Sequence, residues 1–207
     1  MHRSDDNMSQ FLSTLKKIIS DWREKRRLES ARGEEERQKQ AEIRRREEEL
    51  KRAMYRKGNE FEDYVRNMFP EDRFTLIHRT PTHESTGGRF VDSMVYPDLR
   101  FIDKASGRRF WVEVKFRSHA EQDGSIEWCT DNQLRNYKRT MYESREKVLI
   151  MMGVGGTVRD PARVYCLDLE NINFTRLFYK TYRDHRVMYR RIESLKQLEY
   201  ISSNHTA

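Results

Sequence analysis

The stretch "PDLRFIDKASGRRFWVEVK", which runs from Pro97 to Lys115, decides the fold of this chain. A turn at 104–107 separates two runs that are rich in aromatic and β-branched residues, the pattern of a β-hairpin. Every second residue of the later run is apolar, so a strand over 109–117 has one apolar face. The residues of that face are Phe110, Val112, Val114 and Phe116. The opposite face puts the carboxylate of Glu113 beside the amine of Lys115.

The turn also sets the register of the hairpin. Antiparallel pairing around 104–107 places residue 101 opposite 110 and residue 98 opposite 113. Asp98 and Glu113 then become cross-strand neighbours with Cβ atoms about 5 Å apart. Burial of the apolar face holds this register, because a slip by one residue would expose every apolar side chain of the strand.

Two carboxylates at that distance repel each other, and one of the two pKa values rises unless a cation lies between them. Oxygen ligands with room for water suit Mg²⁺, and Mn²⁺ is expected to substitute. The ammonium group of Lys115 can hold a metal-bound water and stabilise negative charge. The three residues therefore favour hydrolysis of a phosphodiester.

The Glu-x-Lys tripeptide alone is weak support, because this chain is 36% charged. Glu49-Leu50-Lys51 repeats it within a charged helical pattern, and an ordinary Glu–Lys pair on an exposed sheet face is the alternative interpretation of Glu113 and Lys115. Three features distinguish the later copy: strand alternation, a hairpin turn, and an acid at the matching cross-strand position.

The remaining patterns predict an α/β fold with a central mixed sheet flanked by helices. A helix over "NEFEDYVRNMF" ends at Pro70, and a strand covers 74–78. The helix "TDNQLRNYKRTMYES" opens with a capping box of Thr130 and Gln133. The runs "KVLIMMGV" and "ARVYCLDL" indicate strands, and "NFTRLFYKTYRDHRV" and "ESLKQLEYI" indicate helices.

Charge divides the chain into three segments. Residues 1–57 hold 17 Lys and Arg against 12 Asp and Glu, residues 58–175 hold 17 against 19, and residues 176–207 hold 7 against 3. We expect a charged helical N-terminal arm over 1–57, the core domain over 58–175 and a basic helical extension over 176–207. Gly33 is expected to interrupt the arm.

The arm also carries an amphipathic stripe near its start. Its apolar residues are Leu12, Leu15, Ile19 and Trp22. Such a stripe packs on a partner protein or on the chain's own domain, and it makes a homodimer possible.

Several classes of protein are excluded by composition. Cys129 and Cys166 belong to no C-x-x-C pair, so neither zinc nor a disulfide framework is expected. The longest apolar run, "VLIMMGV", is far shorter than the roughly 20 residues of a membrane span. With no signal peptide visible, the sequence predicts a cytoplasmic protein without membrane contact.

Pro97-Asp98, followed by Glu113-Val114-Lys115, resembles the signature of the PD-(D/E)xK nuclease superfamily. "KGNEFEDYV" is similar to the helix that precedes the core in Holliday-junction resolvases and Mrr-like restriction endonucleases. The pair Gln133 and Tyr137 is similar to the Q-x-x-x-Y element of exonuclease-like branches. The resemblance covers residues 58–170 and implies a restriction-endonuclease-like core.

The resemblance also implies roles for individual residues. Asp98 and Glu113 would bind Mg²⁺ with help from the Val114 carbonyl, and Lys115 would position or activate the attacking water. Glu62 would complete or orient the metal shell, with Glu60 as the open alternative. The roles implied for Gln133 and Tyr137 are to orient Lys115 or to contact a phosphate.

The expected function is that of a Mg²⁺-dependent DNA nuclease, an endonuclease in repair, recombination or restriction. The basic segments at both ends of the chain would add phosphate contacts. RNA is not excluded as the substrate. The alternative is a nucleic-acid-binding subunit with a nuclease-like fold that depends on a partner or does not cut.

Overall fold

The chain forms two compact units, Met1–Arg52 and Ala53–Ala207. This computed structural model describes residues 3–81 and 95–203, and for residues 3–13, 18, 19 and 31 it describes only the helical backbone.

Helix α1 is a single helix of 65 residues, Arg3–Asn67. The expected interruption at Gly33 is wrong, because the helix continues through this residue. One glycine costs a helix only about 1 kcal/mol, and good helix formers with charge pairs on both sides outweigh that cost. Two such charge pairs, each four residues apart, join Glu35 to Lys39 at 2.8 Å and Glu42 to Arg46 at 2.7 Å.

The amphipathic stripe of α1 is described only in part. The side chains of Leu15 and Trp22 are 37% and 55% exposed. Those of Leu12 and Ile19 lie outside the described residues. A homodimer through this stripe stays a prediction.

The second unit is built on a mixed five-stranded sheet, which confirms the predicted α/β class. Seven strands are described, and their bounds are β1 Phe74–Arg79, β2 Leu99–Asp103, β3 Arg109–Arg117, β4 Ile126–Glu127, β5 Lys147–Gly156, β6 Pro161–Asp168 and β7 Arg176–Leu177. The order in the large sheet is β1-β2-β3-β5-β6, and β4 pairs with β7 separately. Only β3 and β5 run parallel in the large sheet, because helix α2 (Asp131–Ser144) lies in the connection between them.

The predicted hairpin register is confirmed. Phe101 pairs with Phe110 and Leu99 pairs with Val112. The same register, extended by one residue, places Asp98 opposite Glu113. The capping box of α2 is present as well, since Thr130 and Gln133 exchange hydrogen bonds at the start of the helix.

Both faces of the sheet are buried. The end of α1 and helix α4 (Leu195–Ser203) supply part of one core, where Phe61 and Leu198 pack with Phe110. Helix α2 helps to cover the opposite face, where Tyr137 packs near Trp111. The alternative of an exposed sheet face at Glu113 is therefore wrong, because α2 places apolar side chains over it.

The C-terminal segment differs from the prediction. The helix expected over "NFTRLFYKTYRDHRV" is wrong, since this stretch contains β7 and only one helical turn, α3 at Tyr179–Tyr182. The backbone instead bonds to the edge strand β6, with Cys166 N donating to His185 O and Val187 N donating to Val164 O, each within 2.9 Å. Pairing of this exposed edge outweighs the local helical pattern. The helix predicted over "ESLKQLEYI" is confirmed as α4.

No helix among residues 3–81 and 95–203 contains a stretch long and apolar enough to cross a membrane.

Candidate functional site

Most of the residues predicted for the site line one cleft of about 320 Å³. The cleft receives Glu62 from α1, Asp98 from the residue just before β2, Val114 and Lys115 from β3, and Gln133 from α2. The two other predicted residues, Glu113 and Tyr137, are buried in direct contact with Lys115. The tertiary structure thus brings together all seven side chains or backbone groups.

Hydrogen bonds from two neighbouring segments hold the backbone and carboxylate of Asp98. The Val114 amide donates to Asp98 Oδ2 at 2.8 Å. Thr80 donates twice, from its amide to the Asp98 carbonyl and from its hydroxyl to the Pro97 carbonyl, both at 2.8 Å. Burial raises the pKa of Asp98, while the charge of Lys115 acts in the opposite direction.

Glu113 is fully buried, and its two carboxylate oxygens differ. Oε1 accepts a hydrogen bond from the Tyr137 hydroxyl at 2.6 Å and also contacts the Lys115 ammonium group. Oε2 has no hydrogen-bond partner among the described residues. Burial, together with the charge of Asp98, raises the pKa of Glu113 to about 7. A buried carboxylate oxygen without a partner is costly, so it marks a position that a ligand can complete.

Lys115 remains a cation in this setting. Burial by itself would lower the pKa of its ammonium group, but the carboxylates of Glu113 and Asp98 outweigh burial and raise it. Its Nζ also lies 3.5 Å from the Tyr137 hydroxyl. The geometry suits a group that stabilises negative charge rather than one that accepts a proton.

The choice between the two acids of α1 favours Glu62. Glu62 is buried, accepts from Arg79 Nε at 2.5 Å and lines the cleft. Burial and the charge of Asp98 raise its pKa to about 7. Glu60 instead pairs with Arg159 at 3.1 Å and is not among the residues of the cleft.

Gln133 divides its side chain between the helix and the cleft. Its Oε1 accepts from the Thr130 amide at 3.1 Å as part of the capping box. The amide nitrogen carries two donors, which a ligand in the cleft could accept.

Sequence reasoning missed Arg79 and Thr80, which secure Glu62 and Asp98. A bulge in β1 shifts the pairing between Leu76 and His78, so that Arg79 lies opposite Leu99. Bulges are common beside active sites, where they redirect a side chain. No local pattern reveals this pairing, because β1 and β2 are separated by a long connection.

The donor set fits a magnesium ion with few protein ligands. Within the part of the chain that the structure describes, no three Asp, Glu, His or Cys side chains form a group that could hold a metal. Mg²⁺ commonly takes one or two carboxylates and keeps several waters, which Asp98 and Glu113 could satisfy with the Val114 carbonyl. The free Oε2 of Glu113 is the observation that agrees with such an ion.

The two cysteines offer no competing chemistry. Both are free and buried, and burial raises the pKa of the Cys129 thiol to about 12 and that of Cys166 further. A thiol in that state is a poor nucleophile and a poor metal ligand.

No protein-family model matches this sequence, and a comparison with curated proteins finds no match.

Proposed function

We propose that this chain is a Mg²⁺-dependent endonuclease of the PD-(D/E)xK kind, with a restriction-endonuclease-like core, that hydrolyses phosphodiester bonds in DNA. One observation carries the proposal: a fully buried Glu113, whose Oε2 has no hydrogen-bond partner among the described residues, contacts the cationic Lys115, which lines the cleft together with Asp98. Buried acids with raised pKa values beside a cation are characteristic of catalytic sites.

Each residue contributes a definite part. Asp98, Glu113 and the Val114 carbonyl would hold the ion, which when bound supplies positive charge and an activated water. Tyr137 fixes the orientation of the Glu113 carboxylate through a hydrogen bond of 2.6 Å. Lys115 places an ammonium group where charge develops on a phosphate, and Gln133 offers amide donors to its oxygens.

Charge supports a polyanionic substrate. The chain has a net charge of +7 and a pI of about 9.4. Lys and Arg outnumber acids most strongly outside residues 58–175, so contacts with the DNA backbone would come from both ends of the sequence.

The test is cleavage of supercoiled plasmid and of single-stranded DNA in Mg²⁺, in Mn²⁺ and in EDTA. We expect cutting in either metal and none in EDTA. Lys115→Ala should abolish cutting, whereas Lys51→Ala, in the second copy of the Glu-x-Lys tripeptide, should cut like the original chain. Metal-dependent cutting that Lys115→Ala leaves unchanged would refute the assigned site.

A second candidate is a binding subunit that does not cut alone. It is favoured by α1, because the described side chains over residues 14–52 are charged and largely exposed and offer a partner or a phosphate backbone many contacts that no hydrolytic step needs. Tight DNA binding without cutting in Mg²⁺ or Mn²⁺ would support this candidate. Parallel reactions with single-stranded RNA would decide whether DNA is the substrate.

A further inference from the structure

A second cleft of about 390 Å³ lies on the same side of the sheet as the candidate site. The strands contribute Arg100 and Trp111, and His78 lies at the end of β1. Tyr96 comes from the segment before β2, and Thr140 belongs to helix α2. We call it the aromatic cleft, defined by these five residues.

The rings of the aromatic cleft form an ordered stack. Tyr96 stacks on Trp111 with centroids 5.6 Å apart and planes inclined by 20°. His78 packs its edge against Trp111 at 5.4 Å. The guanidinium carbon of Arg100 lies 5.0 Å from the centre of the Trp111 ring, and two hydrogen bonds to Glu146 hold it there. Three side chains thus contact the Trp111 ring without any ligand.

Two features leave this stack incomplete. Tyr96 is the outer ring of the stack and is 39% exposed. Trp111 is only 5% exposed, yet its indole Nε1 has no acceptor among the described residues. Buried indole N–H groups normally find a partner, so an accepting ligand would relieve this one.

The aromatic cleft lies close to Asp98 and Glu113, which we call the acidic pair. Trp111 precedes Glu113 by two residues on the same face of β3, which is a distance of about 7 Å along a strand. Tyr96 precedes Asp98 by two residues. Helix α2 continues the same path, because Tyr137 contacts Glu113 while Thr140 lines the aromatic cleft. A nucleotide chain with a phosphate at the acidic pair would therefore bring its next base to these rings.

We propose that the aromatic cleft binds an unstacked nucleobase beside the phosphodiester at Asp98 and Glu113, so that the substrate is single-stranded or locally opened DNA. The placement of the phosphate rests on the proposed nuclease function. Bases stack on aromatic rings whatever their sequence, and the ring nitrogens and carbonyl oxygens of a base accept from an indole N–H. A cationic ligand fits less well, because Arg100 already places a positive charge against Trp111.

The first test measures binding in EDTA, where no cutting occurs. The probe is a single-stranded oligonucleotide that contains 2-aminopurine, whose fluorescence falls on stacking, and its duplex serves as the comparison. We expect Tyr96→Leu to weaken single-strand binding about tenfold or more, since stacking on one ring contributes that much. Tyr96→Phe keeps the ring and should bind like the original chain. The duplex should bind about tenfold more weakly than the single strand.

The second test needs no variant, so a misfolded Tyr96→Leu cannot obscure the result. Oligothymidylate is compared with an abasic strand of the same length and charge, and the abasic strand should bind about tenfold more weakly. Equal binding of the two strands, or single-strand binding that Tyr96→Leu leaves unchanged, would overturn the nucleobase proposal.

The two proposals fail separately. If the original chain never cuts DNA but its single-strand binding depends on Tyr96, the nuclease proposal fails and the nucleobase proposal stands. If the chain cuts DNA through Lys115 but Tyr96→Leu binds and cuts normally, the nucleobase proposal fails and the nuclease proposal stands. Lys115→Ala, which is expected not to cut, should keep the dependence of binding on Tyr96.

Discussion

At the scale of single residues, the site keeps acids in an environment that opposes their ionisation. Glu113 is completely buried and Glu62 nearly so, and burial is the main reason that both pKa values rise to about 7. The charge of Asp98 adds to the rise in both cases. Such a site is unfavourable by itself at neutral pH and becomes favourable when a cation neutralises the carboxylates.

These raised pKa values predict that stability without metal falls as pH rises. The folded chain holds Glu62 and Glu113 at a pKa of about 7, against an ordinary value of 4.5. Between these two pH values the folded state binds more protons than the unfolded state. The stability that the protonated Glu62 and Glu113 contribute is therefore complete below pH 4.5 and is lost as the pH rises to 7. We expect urea titrations in EDTA to show a decreasing free energy of unfolding across this window.

Glu113→Gln is the matched variant for this measurement, because it removes one titrating carboxyl and keeps the shape of the side chain. The free energy of unfolding of this variant should fall less steeply with pH than that of the original chain. Saturating Mg²⁺ should also reduce the decline, since the ion favours the ionised acids. If the two chains lose stability with the same pH dependence, the titration does not arise at Glu113.

The Tyr137 hydroxyl predicts a second effect at residue scale. Tyr137→Phe removes the hydrogen bond to Glu113 Oε1 and leaves the ring in place. Loss of such a supporting partner typically reduces metal affinity or activity about tenfold to a hundredfold. We expect the variant to need more Mg²⁺ for half-maximal cutting. Tyr142→Phe, on the same helix but 84% exposed, is the control and should behave like the original chain.

At the scale of elements, close packing between α1 and β5 holds Glu62 at the cleft. Gly153 of β5 lies directly under Phe61, and a Cβ atom there would come within 2.5 Å of the Phe61 ring. Phe61 is fully buried, packs on Tyr64 and Phe116, and directly precedes Glu62, so a shift of its ring would strain the helix turn that carries the acid. The absence of a side chain on one strand therefore decides the position of a functional group on a helix.

Gly153→Ala should destabilise the chain by about 1–3 kcal/mol through overpacking, as measured by urea denaturation. Gly153→Ala should also slow cutting, because it displaces the turn of α1 that carries Glu62. Gly58→Ala is the matched control, since a Cβ atom there meets nothing within 4 Å. That change lies within α1 and should stabilise the helix by about 0.5–1 kcal/mol. A Gly153→Ala chain as stable as the original would show that the end of α1 is not tightly packed.

Some elements differ from what their local sequence pattern predicts, because pairing with a neighbouring strand is more favourable. The helical pattern of 173–187 is locally sound, but the unpaired edge of β6 recruits this segment as extended chain, with Tyr165 bridged to Arg186. At Gly33 the outcome is the reverse, because the described side chains around it are almost all exposed and no tertiary contact among them competes with the helix. Local propensity decides the structure only where no tertiary partner offers more.

At the scale of the whole molecule, the charged helical arm and the candidate site belong to different units of the chain. In the unit Met1–Arg52 the described side chains of α1 are almost all exposed, while the unit Ala53–Ala207 holds both cores, the candidate site and the aromatic cleft. The candidate active residues come from helix α1, the residue before β2, strand β3 and helix α2. A site drawn from so many elements forms only when the second unit is folded.

The sequence by itself determined the hairpin, its register and the capping box of α2, and from that register it placed Asp98 close enough for its charge to act on Glu113. These features depend on short-range rules: a period of two, a turn of known length and a capping pattern over four residues. They could be predicted because every partner lies within about a hairpin's length of chain.

Only the tertiary structure decided which acid of α1 enters the cleft, how Arg79 and Thr80 hold the site, and that Tyr96 stacks on Trp111. It also decided that the face of Glu113 is buried, which is what raises the pKa of this acid. These contacts join segments whose separation along the chain follows no period, such as Arg79 with Glu62 and Tyr137 with Glu113. Their energy comes from the burial and pairing of the folded second unit, and no local pattern carries that information.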